Sequence, residues 1–247
     1  MRLFGLIGYP LEHSFSQKYF TAKFKDNNII DVDYELFPID VIEKFSSIIS
    51  KNPNLIGLNV TIPYKEQVIQ YLNELDKTAS EINAVNTIKI HRENDHIRTI
   101  GYNTDVYGFE ISLKPLLKAH HNNALILGSG GASKAVSYVL QKLNIPFQIV
   151  SRESHTDQLS YSDIPYIIKD HPLIINTTPV GSFPDTGHSP NIPYELLDEN
   201  YLLFDLIYNP EETEFLKQGK AQGAIIKNGL EMLELQAEKA WEIWNAF

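Results

Sequence analysis

The sequence of 247 residues contains no cysteine. That absence excludes disulfide bridges, zinc–thiolate centres and thiol nucleophiles, and it suits a reducing compartment. Positive charge is scarce as well. The 21 lysines and arginines stand against 31 acidic residues, a formal net charge of −10. So acidic a chain is not suited to nucleic acid or an anionic membrane surface, and an anionic ligand would need basic groups placed locally. Long hydrophobic runs are also missing, since no window approaches the roughly 20 apolar residues of a membrane helix. The apolar start Met1–Gly8 is too short for a secretory leader, and Tyr9-Pro10 interrupts it. No repeat or low-complexity tract occurs. These absences point to a cytoplasmic globular protein with a small-molecule partner. Its length allows one large domain or two medium ones with real cores.

What the chain does contain is organised around Ala124 to Leu140. Four apolar residues, Ala124-Leu125-Ile126-Leu127, lead into Gly128-Ser129-Gly130-Gly131-Ala132-Ser133, and Lys134–Leu140 reads as a helix. Close-set glycines between a strand and a helix let backbone N–H groups approach a dinucleotide pyrophosphate, and the helix N-terminus adds partial positive charge. A glycine-rich turn in an α/β domain that binds nothing has the same pattern, so neighbouring residues must decide.

Before that stretch, Leu3–Ile7, Val32–Phe37 and Leu55–Val60 read as strands, separated by helical segments. The capping-box spacing Asp40-Val41-Ile42-Glu43 predicts one helix start, and Pro63 suits another. Such alternation predicts a mostly parallel sheet whose ligands gather outside the carboxyl ends of its strands. Ser14 and Ser16 follow the first strand. Either they cap a helix or they bind a carboxylate or polyhydroxylated ligand. Asn59, Thr61 and Lys65 fall on the same rim, where a lysine at a helix start opposes the dipole. A solvated lysine is the plainer alternative. A hairpin turning at Glu93-Asn94-Asp95 follows a strand that begins near Ala84-Val85-Asn86-Thr87. Gly101-Tyr102-Asn103-Thr104-Asp105 then leads into a helix predicted over 106–118, with Asn103 or Thr104 as its cap and Asp105 favoured by its dipole.

Beyond the glycine turn, the strand Phe147–Val150 ends in Ser151-Arg152-Glu153-Ser154-His155. An acid near this point would bind the ribose 2′-hydroxyl of NAD, whereas Arg152 suits the 2′-phosphate of NADP, with Glu153 opposing it. A solvated loop arginine is again the alternative. Strands at Leu173–Ile175 and Leu202–Phe204 run into polar turns on the cofactor side, and Ala224–Ile226 is the last strand. The final helix carries Leu230, Leu233, Ala237, Ala240, Trp241 and Trp244 at three- and four-residue spacing. Gln236 stands beside that stripe, bordering a cleft or solvated.

Taken together, Gly8–Ser16, Asn59-Val60-Thr61-Ile62-Pro63-Tyr64-Lys65, Ala84–Thr87, Asn103-Thr104-Asp105, Leu127–Lys134, Asn176–Gly181, Asp205–Pro210 and Asn228–Leu233 resemble the shikimate dehydrogenase family across nearly the whole chain. The resemblance implies an α/β fold with a mostly parallel substrate domain over 1–101, joined by the C-terminal helix 229–247, and a Rossmann-type NADP-binding domain over 102–228. It implies that Ser14 and Ser16 hold the substrate carboxylate. Asn86, Asp105 and Lys65 would bind ring hydroxyls, Thr61 and Gln236 would complete the shell, and Tyr208 would lie near substrate and nicotinamide. Lys65 and Asp105 would be the catalytic pair, with Lys65 transferring the proton. For NADP it implies contacts from Gly128, Ser129, Gly130, Gly131, Ala132, Ser151, Arg152, Asn176, Thr177, Thr178, Leu206 and Gly229, and no metal.

The chain departs from the family pattern in three places. Gln17 stands where proline usually follows the paired serines, Lys134 replaces an arginine, and the cofactor loop keeps one arginine beside an acid. Competing expectations are a quinate/shikimate dehydrogenase using NAD, a folate-directed dehydrogenase with a similar layout, and a catalytically idle NADP-binding sensor. Monomer and homodimer both remain open.

Overall fold

The structure is a computed structural model that describes residues 1–11, 14–93, 96–152 and 158–246. Two compact units divide it, one formed by Met1–Thr104 with the chain from Ala237 onward, the other by Asp105–Gln236.

The first unit runs β1 (Arg2–Gly8), α1 (Phe15–Asp26), β2 (Val32–Pro38), α2 (Phe45–Lys51), β3 (Leu55–Val60), β4 (Glu74–Leu75), α3 (Lys77–Ile82), β5 (Thr87–Glu93) and β6 (His96–Tyr102). Its sheet has the order β2-β1-β3-β5-β6-β4. β1 lies parallel to β2 and β3, while β5 is antiparallel to both β3 and β6. Strand β1 is buried from Leu3 to Gly8, as expected of a central parallel strand covered on both faces. Alternation sends Leu3 and Ile7 into a core with Phe45, Ile49 and Leu58, and Phe4 and Leu6 into another with Phe20, Phe24 and Trp244. Trp244 lies so close over Gly57 that a side chain there would meet the indole, and its Nε1 donates to the Ile88 carbonyl at 3.0 Å. Burying an aromatic of this kind contributes about 3 kcal/mol, which fixes the end of the last helix on this sheet.

The second unit runs α4 (Asp105–Leu113), β7 (Ala124–Leu127), α5 (Gly131–Lys142), β8 (Phe147–Val150), α6 (Ile164–Ile167), β9 (Leu173–Asn176), β10 (Leu202–Asp205), α7 (Glu214–Ala221), β11 (Ile225–Lys227) and α8 (Leu230–Asn245), the last as far as Gln236. Its sheet is parallel throughout, in the order β11-β10-β9-β7-β8. The chain winds outward in opposite directions from β7 and β9. A ligand crevice opens where strand order reverses in such a sheet, so the carboxyl ends of those two strands mark the place to look.

Local expectations failed at three points. The helix expected over 106–118 ends at Leu113 and tightens into a 3₁₀ turn at Lys114–Leu116, because Pro115 has no N–H to donate. The capping box at Asp40 does not form; Asp40 pairs with Lys44 instead, and Val41 opens the 3₁₀ turn Ile42–Lys44 without a side-chain cap. Pro63 starts no helix. The Ile62–Pro63 peptide is cis, and turns occupy the segment before the 3₁₀ helix Gln67–Tyr71. The hairpin pairs β5 with β6 as expected, while its turn residues Asn94 and Asp95 lie outside the described residues.

Candidate active site

In the first unit, the rim at the ends of β1 and β3 is tied together by backbone hydrogen bonds. The Thr61 N–H donates to the Ile7 carbonyl at 3.0 Å, and the Val60 N–H to the Asn86 carbonyl at 2.8 Å. The Val85 N–H donates to the Lys65 carbonyl at 2.7 Å. Thr61, half-buried Lys65 and buried Asn86 therefore share one edge. The Asn86 side-chain oxygen accepts from the Thr104 N–H at 2.7 Å, and the Asn103 amide donates to the Ala84 carbonyl at 3.0 Å. These bonds hold the Asn-Thr segment against the start of β5.

Ser14 occupies the N-cap position of α1 with extended backbone, yet its hydroxyl makes no capping bond. The oxygen is buried and finds no hydrogen-bond partner among the described residues. A buried polar group left in that state costs about 1–3 kcal/mol, so the capping reading of Ser14 falls and a ligand-facing role gains. Ser16 follows in the first turn, with its hydroxyl beside Tyr34. Burial drives the Tyr34 phenol far above its ordinary range, opposed weakly by Ser16, so Tyr34 remains a neutral donor. That donor reaches Asn59 Oδ1 at 2.7 Å. Asn59, expected on the ligand rim, is 4% exposed and spends its amide inside, which makes it a support for the rim.

In the second unit, Gly128 closes β7 with φ of +106°, a conformation that favours glycine, and a side chain would stand 2.8 Å from Thr177 Oγ1. Gly130 and Gly131 differ. A Cβ at either position would meet nothing within 4 Å, so the chain's own packing does not require glycine there. The open space lies at the N-terminus of α5, where the helix dipole favours an anion. Ser129 Oγ lies 3.4 Å from Ser151 Oγ, joining the glycine turn to the end of β8, and exposed Arg152 follows. The donor set therefore fits a phosphorylated dinucleotide. Glu153, Ser154 and His155 lie outside the described residues.

The turns after β9 and β10 are held from below. Asn176 is fully buried and donates to Asp205 Oδ1 at 3.0 Å. Its own oxygen accepts from the Thr178 N–H at 3.0 Å and from the Thr178 hydroxyl at 2.7 Å. Asn176 thus acts on the Thr177-Thr178 turn, with its side chain bonded inside the unit to Asp205 and Thr178. Asp205 also accepts from the Thr213 hydroxyl at 2.6 Å and the Ile207 N–H at 3.1 Å. Burial still pushes its pKa up to about 6. Sequence reading did not single out Asp205 for a role. Its only signal was an acid closing an otherwise apolar strand. Gly229 donates its N–H to the Ile207 carbonyl at 3.0 Å and packs against the Leu206 carbonyl too closely for any side chain. Tyr208, half-buried beside this knot, has its phenol pushed upward by burial and so stays protonated near neutrality. Asp105 begins α4 and is buried, and Gln236 on α8 is buried with its amide donating to the Leu233 carbonyl at 2.9 Å.

A parallel sheet with a glycine turn at its switch point defines the second unit as a dinucleotide-binding domain, here joined to a smaller α/β unit with a polar rim. A family model described as the shikimate dehydrogenase substrate binding domain matches residues 6–88. Shikimate dehydrogenase (NADP(+)) from Methanococcus maripaludis strain C6 is 41% identical, covering 98% of this chain and 91% of that protein. A Methanococcus vannielii protein of the same name is 38% identical over 99% of this chain and 92% of its own length. Among solved structures, shikimate 5-dehydrogenase from Thermus thermophilus in complex with NADP(H) and shikimate superposes with a TM-score of 0.86 at 28% identity, covering 100% of this chain and 94% of that one. The chain belongs to the shikimate dehydrogenase family.

Proposed function

We propose that this protein catalyses the reversible, NADPH-dependent reduction of 3-dehydroshikimate to shikimate in the cytoplasm. The observation that carries this reading is the 41% identity, over 98% of the chain, to a relative named for that substrate and cofactor. The geometry of each unit fits it. The cofactor-binding residues are Gly128–Ala132 around the pyrophosphate, Ser151 and Arg152 at the 2′-phosphate, and the Thr177-Thr178, Leu206 and Gly229 backbones, with Asn176 holding the first of those turns. Bound there, NADPH supplies a hydride to the ring ketone.

The reduced ring carbon leaves an oxygen that needs a proton, and Lys65 supplies it. Its place on the rim beside Thr61 and Asn86, half-buried, suits direct proton transfer to that oxygen. Asp105 accepts a hydrogen bond from a ring hydroxyl, Gln236 binds another, and Asn86, its oxygen held by the Thr104 N–H, offers its amide N–H instead. Ser14 and Ser16 donate to the carboxylate, and Thr61 and Tyr208 complete the shell. Charged acceptors bind hydroxyl donors more strongly than neutral ones, so the Ser14 oxygen is best explained by an anion.

Turnover of shikimate with NADP, followed by reduced-nicotinamide absorbance, tests the reading. A comparison with quinate and NAD in the same assay separates the competing dehydrogenase, and absence of turnover with either pair would leave the idle sensor.

A further inference from the structure

Gly108 lies in the middle of α4, one turn after Asp105, and faces α8. Glycine inside a helix costs about 1 kcal/mol relative to alanine, so something must offset it here. The offset is an approach of backbone to backbone. A methyl group built on Gly108 would overlap the Met232 carbonyl oxygen and stand 3.2 Å from both the Met232 carbonyl carbon and the Gln236 nitrogen. In an α-helix those groups are the two ends of one hydrogen bond, since Gln236 follows Met232 by four residues. Neither can swing aside as a side chain would. Relief requires the helices to part by about 1 Å to reach an ordinary carbon–oxygen separation of roughly 3.4 Å. Ser112 fixes the other side of the contact by donating its hydroxyl to the Gly108 carbonyl at 2.8 Å.

We propose that Gly108 is a positioning residue that sets the spacing of Asp105 and Gln236, and through it the grip on the substrate's ring hydroxyls. The proposal deepens the function given above and rests on Asp105 and Gln236 being substrate ligands. Asp105 stands three residues before the contact, about 4.5 Å along the helix axis, and Gln236 contributes its backbone to the contact itself. Displacements near 1 Å at groups that orient a substrate cost up to about 100-fold in rate.

The test uses the full chain. Gly108→Ala is expected to raise the KM for shikimate at least tenfold and lower kcat, while the NADP dissociation constant, read by cofactor titration, stays within twofold. In a double-mutant cycle with Gln236→Ala the two losses should combine to less than their product, because both act on one contact. A glycine needed only for packing predicts a lower Tm, additive losses and an unchanged KM for shikimate, and that set of results would overturn the proposal. Gln236→Asn draws the amide back by one methylene without touching Gly108, and it should reproduce the raised KM. If Gly108→Ala yields no folded protein, that variant decides, and a wild-type KM in it overturns the proposal. A wild-type KM in Gln236→Ala would instead overturn the assignment of Gln236 as a substrate ligand. A raised KM there, beside wild-type values in Gly108→Ala and Gln236→Asn, would overturn the spacing alone.

Discussion

Ser14→Ala separates a binding hydroxyl from a structural one, because the two roles predict opposite signs for stability. Replacing a serine that caps a helix costs about 1 kcal/mol, but the Ser14 side chain makes no cap bond, so that loss does not apply. The hydroxyl is instead a buried oxygen without a partner among the described residues. Its removal lifts a desolvation penalty of about 1–3 kcal/mol, offset in part by the contacts the oxygen made. The Tm of the ligand-free protein should therefore hold or rise, at about 2–4 °C per kcal/mol for a chain of this size. With substrate the sign reverses. A hydrogen bond to a carboxylate is worth about 1.5–3 kcal/mol, so the KM for shikimate should rise about 10- to 150-fold with kcat little changed. Thermal melts with and without shikimate, alongside initial rates, measure both quantities. A fall in Tm with an unaltered KM would refute the reasoning and return Ser14 to the helix.

Gly131→Ala should leave Tm unchanged or higher and raise the KM for NADP at least tenfold, because a Cβ there meets nothing in the chain itself; a lowered Tm with normal cofactor binding would contradict this. Lys65→Ala should cut kcat by about 10²- to 10⁴-fold with a smaller change in KM, and a pure KM defect would reject its proton-transfer role. Arg152→Ala should lower kcat/KM for NADPH about tenfold and leave NADH alone, and equal losses with both would deny it the 2′-phosphate. Asp205 has a free-group pKa of 3.8 and a folded-state value of about 6, so between those values the folded protein holds a proton that the unfolded chain has lost. Its contribution therefore falls as pH rises from about 4 to about 6, by about 3 kcal/mol in total. Urea midpoints at pH 5 and pH 7 should show that slope in the native protein and not in Asp205→Asn. In that variant the amide oxygen can keep the Oδ1 bonds from Asn176 and the Ile207 N–H, and its NH₂ then faces the Thr213 hydroxyl, which must turn from donor to acceptor.

The sequence by itself determined the strands that carry the fold. Leu55–Val60 and Ala124–Leu127 are short apolar runs closed by turn residues, and burial on both sides leaves such runs no other use, while Phe147–Val150 forms the sheet edge and exposes Gln148. It also determined which rims hold polar groups, since parallel strands bring Thr61 and Lys65 to one edge and Gly128 and Thr177 to another, whatever the loops do. Helix limits depended on single residues, and Pro115 cut α4 short where periodicity alone continued. Only the tertiary structure decided what each polar group does with its hydrogen bonds. Ser14 and Asp76 both occupy N-cap positions. The Asp76 carboxylate accepts from the Ala79 N–H at 2.9 Å, whereas the Ser14 hydroxyl is left over. Asn59 and Asn176 read alike as rim amides, yet both turn inward, to Tyr34 and to Asp205. Gly128 and Gly131 read alike within one glycine turn, although the first is required by its positive φ and by Thr177, and the second faces open space. Spacing along a chain records which face a residue occupies, but the partner that satisfies a donor or crowds a Cβ comes from elsewhere in the chain, and folding alone brings it near.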